Sequence, residues 1–237
     1  MEAIILAGGL GTRLRDVIKD IPKPMADISG RPFLSYVLDY ASSQGVEKVL
    51  LSVGYKHEVI QAYFGTKHRG MGLEYVIEEE QLGTGGAIRE ALKQAQSEQV
   101  IVLNGDTFFA VDYQRLMQFH LGKNADLSMA LKPMNGVDRY GTVIIGPDNR
   151  ITGFREKKFQ KSGMINGGVY VVNKARMDAL AGLGKTFSFE SDFLQKQTGR
   201  LAAYALVCED YFIDIGIRLD YKKAQAELPR IVLERNV

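Results

Sequence analysis

The chain has 237 residues, and its 30 basic and 28 acidic residues leave a formal net charge of only +2. This balance, without a clustered Lys/Arg stripe, argues against a polymeric nucleic-acid partner. Cys208 is the only cysteine, which excludes intrachain disulfides and Cys-based metal cages and suits a reducing cytoplasm. No apolar run approaches bilayer-spanning length, and the first residues lack the basic start of a signal peptide, so we expect neither membrane insertion nor secretion.

The first half of the chain alternates predicted strands and helices. The apolar runs AIILA, KVLLSVGY, LEYVIEE and QVIVLNGD are typical of buried strands. Between them, Phe33 to Gln44 and Gly86 to Gln96 place their apolar residues on one helical face. Repeated strand–helix–strand units predict a mostly parallel sheet covered by helices on both faces.

The second half, after a predicted helix over Asp112 to Lys123, is richer in strands. ADLSMALKPM, GTVIIG, RITGFREK and INGGVYVV are strand-like runs separated by turn signals. A last helix is expected from Arg218 until Pro229 interrupts it. We predict an α/β fold, with a Rossmann-like, mostly parallel mixed sheet flanked by helices and a β-rich extension. No repeat indicates a C-terminal β-helix. The chain is expected to form one domain, with a first part over about 1–111 and a second part over about 112–237.

The densest motif is AGGLGTRLRDVIKDIPKPM, from Ala7 to Met25. Its glycines let the backbone approach a ligand closely, and successive amides can cradle phosphate oxygens. Leu14 stands where the dinucleotide fingerprint needs glycine, and the glycine–lysine–hydroxyl sequence of a P-loop is also missing. A structural turn remains the alternative for the glycines alone. Pro22 and Pro24 favour ligand binding because they stiffen the backbone around Lys23 and lower the cost of directing it at an anion.

The strings LAGGLGTRL and PKPM resemble the signature of the sugar-nucleotide pyrophosphorylases, the nucleotidyltransferases that make nucleoside diphosphate sugars. EQLGTGGAI, LNGD, RYGT, FREK, INGG and FIDIG then follow in the family's order along almost the whole chain. Within the family, IKDIPKPMADI, ALKPMNGVDRYGTV, KSGMINGGVY, FSFESDFL and DYFIDIG look most like the D-glycero-α-D-manno-heptose 1-phosphate guanylyltransferases.

The resemblance implies transfer of a nucleoside monophosphate from GTP, or another NTP, to a sugar 1-phosphate, with release of pyrophosphate, for surface polysaccharide synthesis. Two anions react, so charge neutralisation and in-line alignment are the main tasks. Arg13 would stabilise the α-phosphoryl transition state, and Lys23 would hold a phosphate. The implied nucleotide-binding residues are Leu6, Ala7, Gly8, Gly9, Gly11, Thr12, Arg13, Lys23, Gln81, Gly83, Thr84 and Asp106. GTGG opens a predicted helix whose free amides suit such a ligand, although a glycine-rich cap packed on the sheet is the alternative.

Two apolar strands end in a carboxylate, Asp106 in LNGD and Asp214 in FIDIG. Strand ends are where α/β folds collect ligands, but a single aspartate there is more often a turn or helix cap. The resemblance implies that the pair binds Mg²⁺ together with bridging phosphates and water. With Arg13 and Lys23, these aspartates complete the expected catalytic set.

The resemblance implies a nucleotide-binding part over about 1–111 and a sugar-binding part over about 112–237. The resemblance implies contacts from Tyr140, Gly141, Glu156, Lys157, Asn166 and Asp214. Glu156 and Lys157 are adjacent and would face opposite sides of a strand, so a solvated residue and an edge charge are the alternative. For RYGT and INGG the alternatives are a hairpin turn and a β-bulge.

Several other groups are set aside. The three histidines, His57, His68 and His120, lack paired metal spacing, and Ser188 and Ser191 lack the context of a hydrolase nucleophile.

Three other functions remain open. One is a different sugar enzyme, either a mannose 1-phosphate guanylyltransferase or a dTTP- or UTP-dependent hexose enzyme. Another is a nucleotide-sugar-sensing regulatory subunit, disfavoured because the arginine, lysine and aspartates are all present. The third is an oxidoreductase, disfavoured by Leu14. The sequence does not determine the base or the sugar. It allows a homodimer but does not determine the oligomeric state.

Overall fold

The computed structural model of the chain describes residues 1–9, 21–137, 140–155 and 161–235. The strands are β1 (Glu2–Leu6), β2 (Asp27–Ile28), β3 (Arg31–Pro32), β4 (Lys48–Val53), β5 (Lys67–His68), β6 (Met71–Ile77), β7 (Gln99–Asn104), β8 (Thr107–Phe109), β9 (Leu127–Asn135), β10 (Thr142–Ile145), β11 (Ile151–Arg155), β12 (Ser162–Asn173), β13 (Ala203–Val207) and β14 (Phe212–Asp214). The α-helices are α1 (Phe33–Ser43), α2 (His57–Phe64), α3 (Gly83–Gln94), α4 (Tyr113–Gly122), α5 (Gln195–Gln197) and α6 (Arg218–Arg235). Short 3₁₀ turns span Lys23–Met25, Lys174–Arg176 and Asp178–Leu180, and a π-helix spans Phe189–Leu194.

One large sheet dominates the fold, in the order β11-β10-β12-β7-β1-β4-β6-β5. At its centre β1 is parallel to β4 and β7, and β4 is parallel to β6. Strand β12 is antiparallel to both β7 and β9, so the β-rich half continues the same sheet. The predicted mostly parallel mixed sheet with a β-rich extension is confirmed.

Helices cover both faces of this sheet, as predicted. Neighbouring residues of β1 point to opposite faces because side chains alternate along a strand. Ile5 packs in the apolar cluster that contains Phe33 of α1, whereas Ile4 packs in the cluster that contains Ile88 of α3. Within the described residues, no helix combines the length and the hydropathy that crossing a bilayer requires.

The expected interruption of the last helix at Pro229 is wrong. Helix α6 continues through Pro229 to Arg235. A proline has no N–H to donate to the carbonyl four residues earlier in the helix. Here that carbonyl belongs to Gln225. That carbonyl accepts a hydrogen bond from the Ser29 hydroxyl at 2.7 Å. A tertiary contact thus replaces the missing helical bond.

Gly105, between β7 and the Asp106 carboxylate, lies against the backbone of β1. A Cβ at this position would stand 2.5 Å from the carbonyl oxygen of Leu6, which also accepts the Gly105 N–H at 2.9 Å. We expect Gly105→Ala to lower the free energy of unfolding by about 2–4 kcal/mol, because backbone cannot yield as a flexible side chain can. Denaturant unfolding measures the effect. Gly122→Ala is the control, since nothing lies within 4 Å of its Cβ position; equal losses in the two variants would contradict the prediction.

Candidate functional site

Loops at the carboxyl ends of neighbouring parallel strands meet at one edge of the sheet. Gly8 follows β1, Gly54 follows β4, Glu78 follows β6 and Asp106 follows β7. A Cβ on Gly8 would stand 2.5 Å from Glu78 Oε1, and one on Gly54 would stand 3.3 Å from the Gly8 carbonyl oxygen. A side chain at Gly8 would displace the Glu78 carboxylate, so glycine lets these loops approach closely, in the region where α/β sheets bind ligands.

Lys23 lies between the two aspartates predicted from LNGD and FIDIG. Its ammonium Nζ is 2.5 Å from Asp106 Oδ2 and 3.7 Å from Asp214 Oδ1. The aspartates come together because β14 pairs antiparallel with β8, which sets Asp214 opposite Thr107. A lysine and two carboxylates that are far apart in the sequence thus form one charged cluster, with the Lys23 side chain only 13% exposed.

The PKPM segment positions Lys23 through a tight turn. Met25 N–H donates to the Pro22 carbonyl at 2.8 Å, which closes the 3₁₀ turn, and Pro24 and Met25 are buried beneath it. The two prolines fix φ on both sides of the lysine, as the sequence predicted. The backbone of this segment therefore holds the ammonium toward the aspartates.

The donor set of this cluster fits a hard divalent cation. Asp106 and Asp214 each place a carboxylate oxygen within 4 Å of the Lys23 ammonium, and magnesium is commonly held by one or two carboxylates plus phosphates and water. Among the described residues, no group of three or more His, Cys, Asp and Glu side chains could form a metal cage. Of the described residues, only these two aspartates could therefore contribute ligands to a cation bound here.

A cleft of about 690 Å³ lies beside the charged cluster. Six of the predicted site residues line it: Thr84, Asp106, Tyr140, Gly141, Asn166 and Asp214. Phe212 of β14 is also in the wall, with its ring edge-on to Tyr140 at 6.1 Å between centroids. Segments predicted for the nucleotide and for the sugar phosphate therefore border the same cavity.

Some of the predicted residues cannot be located in this way. Gly11, Thr12, Arg13, Glu156 and Lys157 lie outside the described residues. The end of β1 and the loop after it contain Leu6, Ala7, Gly8 and Gly9. Gly83 is the first residue of α3, and Gln81 lies just before it. Their assigned contacts remain predictions.

The GTGG segment is in the first turn of α3, which begins at Gly83 and not at the predicted Gly86. Gly83 has φ of +69°, and a Cβ there would stand 2.5 Å from the Phe187 carbonyl oxygen. A Cβ on Gly85 would overlap the Phe187 ring. These glycines therefore allow the segment before the π-helix to pack on the start of α3. The sequence alternative was a cap packed on the sheet, but the contacts at Gly83 and Gly85 are with Phe187.

The family of the chain follows from comparison with known proteins. The model of the nucleotidyl transferase family matches residues 2–230. The chain belongs to this family. The D-glycero-alpha-D-manno-heptose 1-phosphate guanylyltransferase of Aneurinibacillus thermoaerophilus is 50% identical over 232 residues, covering 98% of this chain and all of that protein. The enzyme of the same name from Campylobacter jejuni subsp. jejuni serotype O:2 is 49% identical over 221 residues, covering 93% and 97% of the two chains.

A solved structure resembles this nucleotidyl transferase closely. HddC from Yersinia pseudotuberculosis, complexed with GMP-PN, has a TM-score of 0.83 and 42% identity, covering 94% of this chain and 97% of that one. The resemblance to the sugar-nucleotide pyrophosphorylases, and within them to the heptose 1-phosphate guanylyltransferases, is confirmed.

Two carboxylates of this nucleotidyl transferase were missed by the sequence interpretation. Glu78 Oε1 accepts from Ser52 Oγ at 2.9 Å and Oε2 accepts from Leu82 N–H at 3.2 Å, which holds Glu78 beside Gly8. Glu190 lines the cleft from the π-helix. The only signal for Glu190 was the FSFESDFL segment, which contributed to the resemblance but suggested no role.

The groups set aside from the sequence have structural surroundings in this nucleotidyl transferase. His120 is buried between Ser128 Oγ and Gln99 Oε1, and burial lowers the pKa of its imidazole to about 4. Cys208 is buried, and burial raises the pKa of its thiol to about 11, which argues against a nucleophilic role. Ser188 and Ser191 do line the cleft, but Ser188 Oγ caps the π-helix by accepting from Ser191 N–H.

Proposed function

We propose that the protein transfers GMP from GTP to D-glycero-α-D-manno-heptose 1-phosphate, forming GDP-heptose and pyrophosphate. The observation that carries this proposal is the match with two guanylyltransferases of that name along essentially their whole length. The geometry supports it, because a cationic side chain and two carboxylates border a cleft large enough for a sugar phosphate. We further propose that the product serves surface polysaccharide synthesis and that the reaction takes place in the cytoplasm, where the single buried cysteine would stay reduced.

In the proposed reaction, a phosphate oxygen of the sugar 1-phosphate attacks the α-phosphorus of GTP. The new P–O bond forms as the bond between the α-phosphorus and the β-phosphate bridging oxygen breaks, and pyrophosphate leaves with the electron pair. Both reactants are anions, so the protein must neutralise charge and align them. Lys23 provides a positive charge at the cleft edge, and Arg13 and Lys157 would add two more around the phosphates.

We propose Mg²⁺ as the metal held by Asp106 and Asp214. Nucleotidyl transferases generally use a divalent metal, and these two carboxylates line the same cleft and share Lys23 as a partner. When bound there, magnesium would polarise phosphate oxygens and offset their negative charge. The protein's own part is to keep both carboxylates in place: Gly216 N–H donates to Asp214 Oδ1 at 2.7 Å, and Thr107 Oγ1 donates to Asp106 Oδ1 at 3.3 Å.

We assign the sugar 1-phosphate to the cleft between Tyr140 and Asn166, with Glu156 and Lys157 completing the site. The Asn166 amide can both donate to and accept from a sugar hydroxyl, and Gly141 lines the same cleft. The register of β12 against β9 shifts between Asn166 and Tyr170. Gly168, within this bulge, has a φ of +71°. The bulge that was an alternative explanation for INGG is thus compatible with a binding role, since bulges redirect side chains beside active sites.

The experiment that tests the proposed function is a pyrophosphate-release matrix of four nucleoside triphosphates against several sugar 1-phosphates. We expect GTP with D-glycero-α-D-manno-heptose 1-phosphate to give the highest kcat/KM. A higher value for mannose 1-phosphate, or for dTTP or UTP with a hexose 1-phosphate, would replace the substrate assignment. Nucleotide-sugar binding without pyrophosphate release from any pair would favour the sensor subunit.

We propose that Glu78 selects guanine. Guanine presents its N1–H and its 2-amino group side by side, and a carboxylate can accept from both. Ser52 and Leu82 fix the Glu78 carboxylate beside Gly8, where the predicted nucleotide loop begins. Each carboxylate oxygen retains capacity for a second hydrogen bond.

Glu78→Gln should lower kcat/KM for GTP by about 10- to 100-fold, since one acceptor becomes a donor that faces guanine donors. Inosine triphosphate (ITP) lacks the 2-amino group, so kcat/KM for ITP should fall by less. The ratio of kcat/KM for GTP to kcat/KM for ITP should therefore decrease. Steady-state kinetics with both nucleotides measures the ratio. The control is Glu79→Gln, an exposed neighbour. An unchanged ratio in Glu78→Gln would remove Glu78 from base selection.

A further inference from the structure

The π-helix Phe189–Leu194 presents one carboxylate, Glu190, to the cleft. Phe189 and Phe193 are fully buried and stack at 5.5 Å between ring centroids, so the segment is firmly packed. Turns of π-helix are rare and frequently occur at functional sites. The roles proposed above do not use this segment.

Glu190 accepts hydrogen bonds from three hydroxyl groups in different parts of the chain. Thr84 Oγ1 at the start of α3 donates to Oε2 at 2.9 Å, and Ser188 Oγ donates to the same oxygen at 3.0 Å. Tyr170 OH of β12 donates to Oε1 at 3.0 Å. An ionised carboxylate only accepts, so its presence decides the direction of all three bonds.

Because Tyr170 donates its only hydroxyl proton to Glu190, it must accept in its hydrogen bond with Asn166. Tyr170 is fully buried, and burial, with Glu190 nearby, raises the pKa of its phenol well above the usual value, so it remains a donor. Its oxygen accepts from Asn166 Nδ2 at 2.5 Å, and Asn166 Oδ1 accepts from Gly168 N–H at 2.9 Å. The Asn166 amide is therefore held in one orientation, with its second N–H and its second oxygen lone pair remaining for other partners.

We propose that Glu190 is a positioning residue for the sugar 1-phosphate, setting the amide orientation of Asn166 through Tyr170 while tying β12 to the start of α3. This inference rests on the proposed function in one respect, that a sugar 1-phosphate occupies this cleft. Its physical basis is preorganisation: an amide held with the correct donor and acceptor outward loses no orientational freedom when the sugar binds.

Glu190→Gln tests the proposal, because it preserves size but introduces donors where three hydroxyls now donate. We expect KM for the sugar 1-phosphate to rise by about 10-fold or more, since a site built around hydrogen bonds discriminates strongly against lost partners. KM for GTP should rise by a clearly smaller factor, through the bond that Glu190 also accepts from Thr84. Tyr170→Phe, which keeps the ring packing, should give the same split. The two changes combined should cost little more than either alone, because both interrupt one relay.

Asp192→Asn is the control within the same π-helix, since Asp192 Oδ2 accepts from Ser188 N–H but is not part of the relay. It should lower the melting temperature without separating the two KM values. Equal rises in both KM values for Glu190→Gln, or additive effects of Glu190→Gln and Tyr170→Phe, would overturn the proposal. The measurements use the best sugar 1-phosphate of the substrate matrix, so a wrong heptose assignment would appear in the wild-type protein and would leave this test intact.

Discussion

Replacement of Lys23 by methionine is expected to lower kcat by about 10²- to 10³-fold, the range seen when one group that stabilises transition-state charge is removed. Lys23 is the described cation nearest to both aspartates, with its ammonium 2.5 Å from Asp106 and 3.7 Å from Asp214. Methionine retains the length and apolar stem of lysine but cannot neutralise phosphate. Pyrophosphate release at saturating substrates measures the loss.

The control for this substitution is Lys93→Met. Lys93 is exposed and pairs with Glu90 on the surface of α3 at 2.6 Å, an interaction of a type that contributes little to stability. We expect Lys93→Met to retain wild-type kcat, and thermal unfolding of Lys23→Met should show an intact cooperative fold. A Lys23→Met protein that is folded and turns over within about 3-fold of wild type would remove Lys23 from the chemistry, because charge stabilisation of this kind exceeds that factor.

Asp106→Asn is expected to lower kcat by about 10²-fold or more and to raise the magnesium concentration needed for half-maximal activity, because a neutral amide is a far weaker ligand for a hard cation. The substitution preserves shape. The backbone on either side is held by bonds from Gly105 N–H to Leu6 O and from Ile215 N–H to Asp106 O. Titration of magnesium at fixed substrates, with chelated enzyme as the baseline, separates the metal requirement from turnover.

Asp112→Asn provides the matched comparison six positions later. Asp112 is the N-cap of α4, where its carboxylate accepts from Arg115 N–H at 2.9 Å. Asparagine caps helices as well as aspartate does. This variant should therefore keep both the stability and the magnesium dependence of the wild type. If both variants showed the same shift in magnesium dependence, that shift would not report on the Asp106 carboxylate.

Strongly patterned elements were predictable because their signals are local. The helix predicted over Phe33 to Gln44 is observed as Phe33–Ser43, and the strand in QVIVLNGD as Gln99–Asn104. Each has a continuous apolar run or face bounded by glycine or polar residues. This local pattern indicates both that the element is buried and whether it is a helix or a strand. The meeting of Lys23, Asp106 and Asp214 was also expected, from strand ends and from the resemblance.

Features that depend on distant partners could not be predicted in this way. Pro229 was expected to end a helix, and only the Ser29 hydroxyl explains why the helix continues. Glu190 meets Thr84 across 106 residues of sequence, and nothing near either residue indicates the pairing. Glu78 is the first of three consecutive glutamates and Glu190 stands between Phe189 and Ser191. A glutamate ordinarily indicates a solvated side chain, so the functional interest of both became visible only with their contacts.

The bonds between Ser29 and α6 have a consequence for how the protein folds. Ser29 N–H and Oγ bond to the side chain and backbone of Gln225, 196 residues away, and Tyr221 and Gln225 both donate to the Asp27 carbonyl. The hairpin that receives these bonds directly follows the turn that carries Lys23. Contacts of such high sequence separation form late, because closing the intervening chain costs entropy first. During synthesis, the lysine of the cleft would therefore gain its final support only after the last helix has left the ribosome.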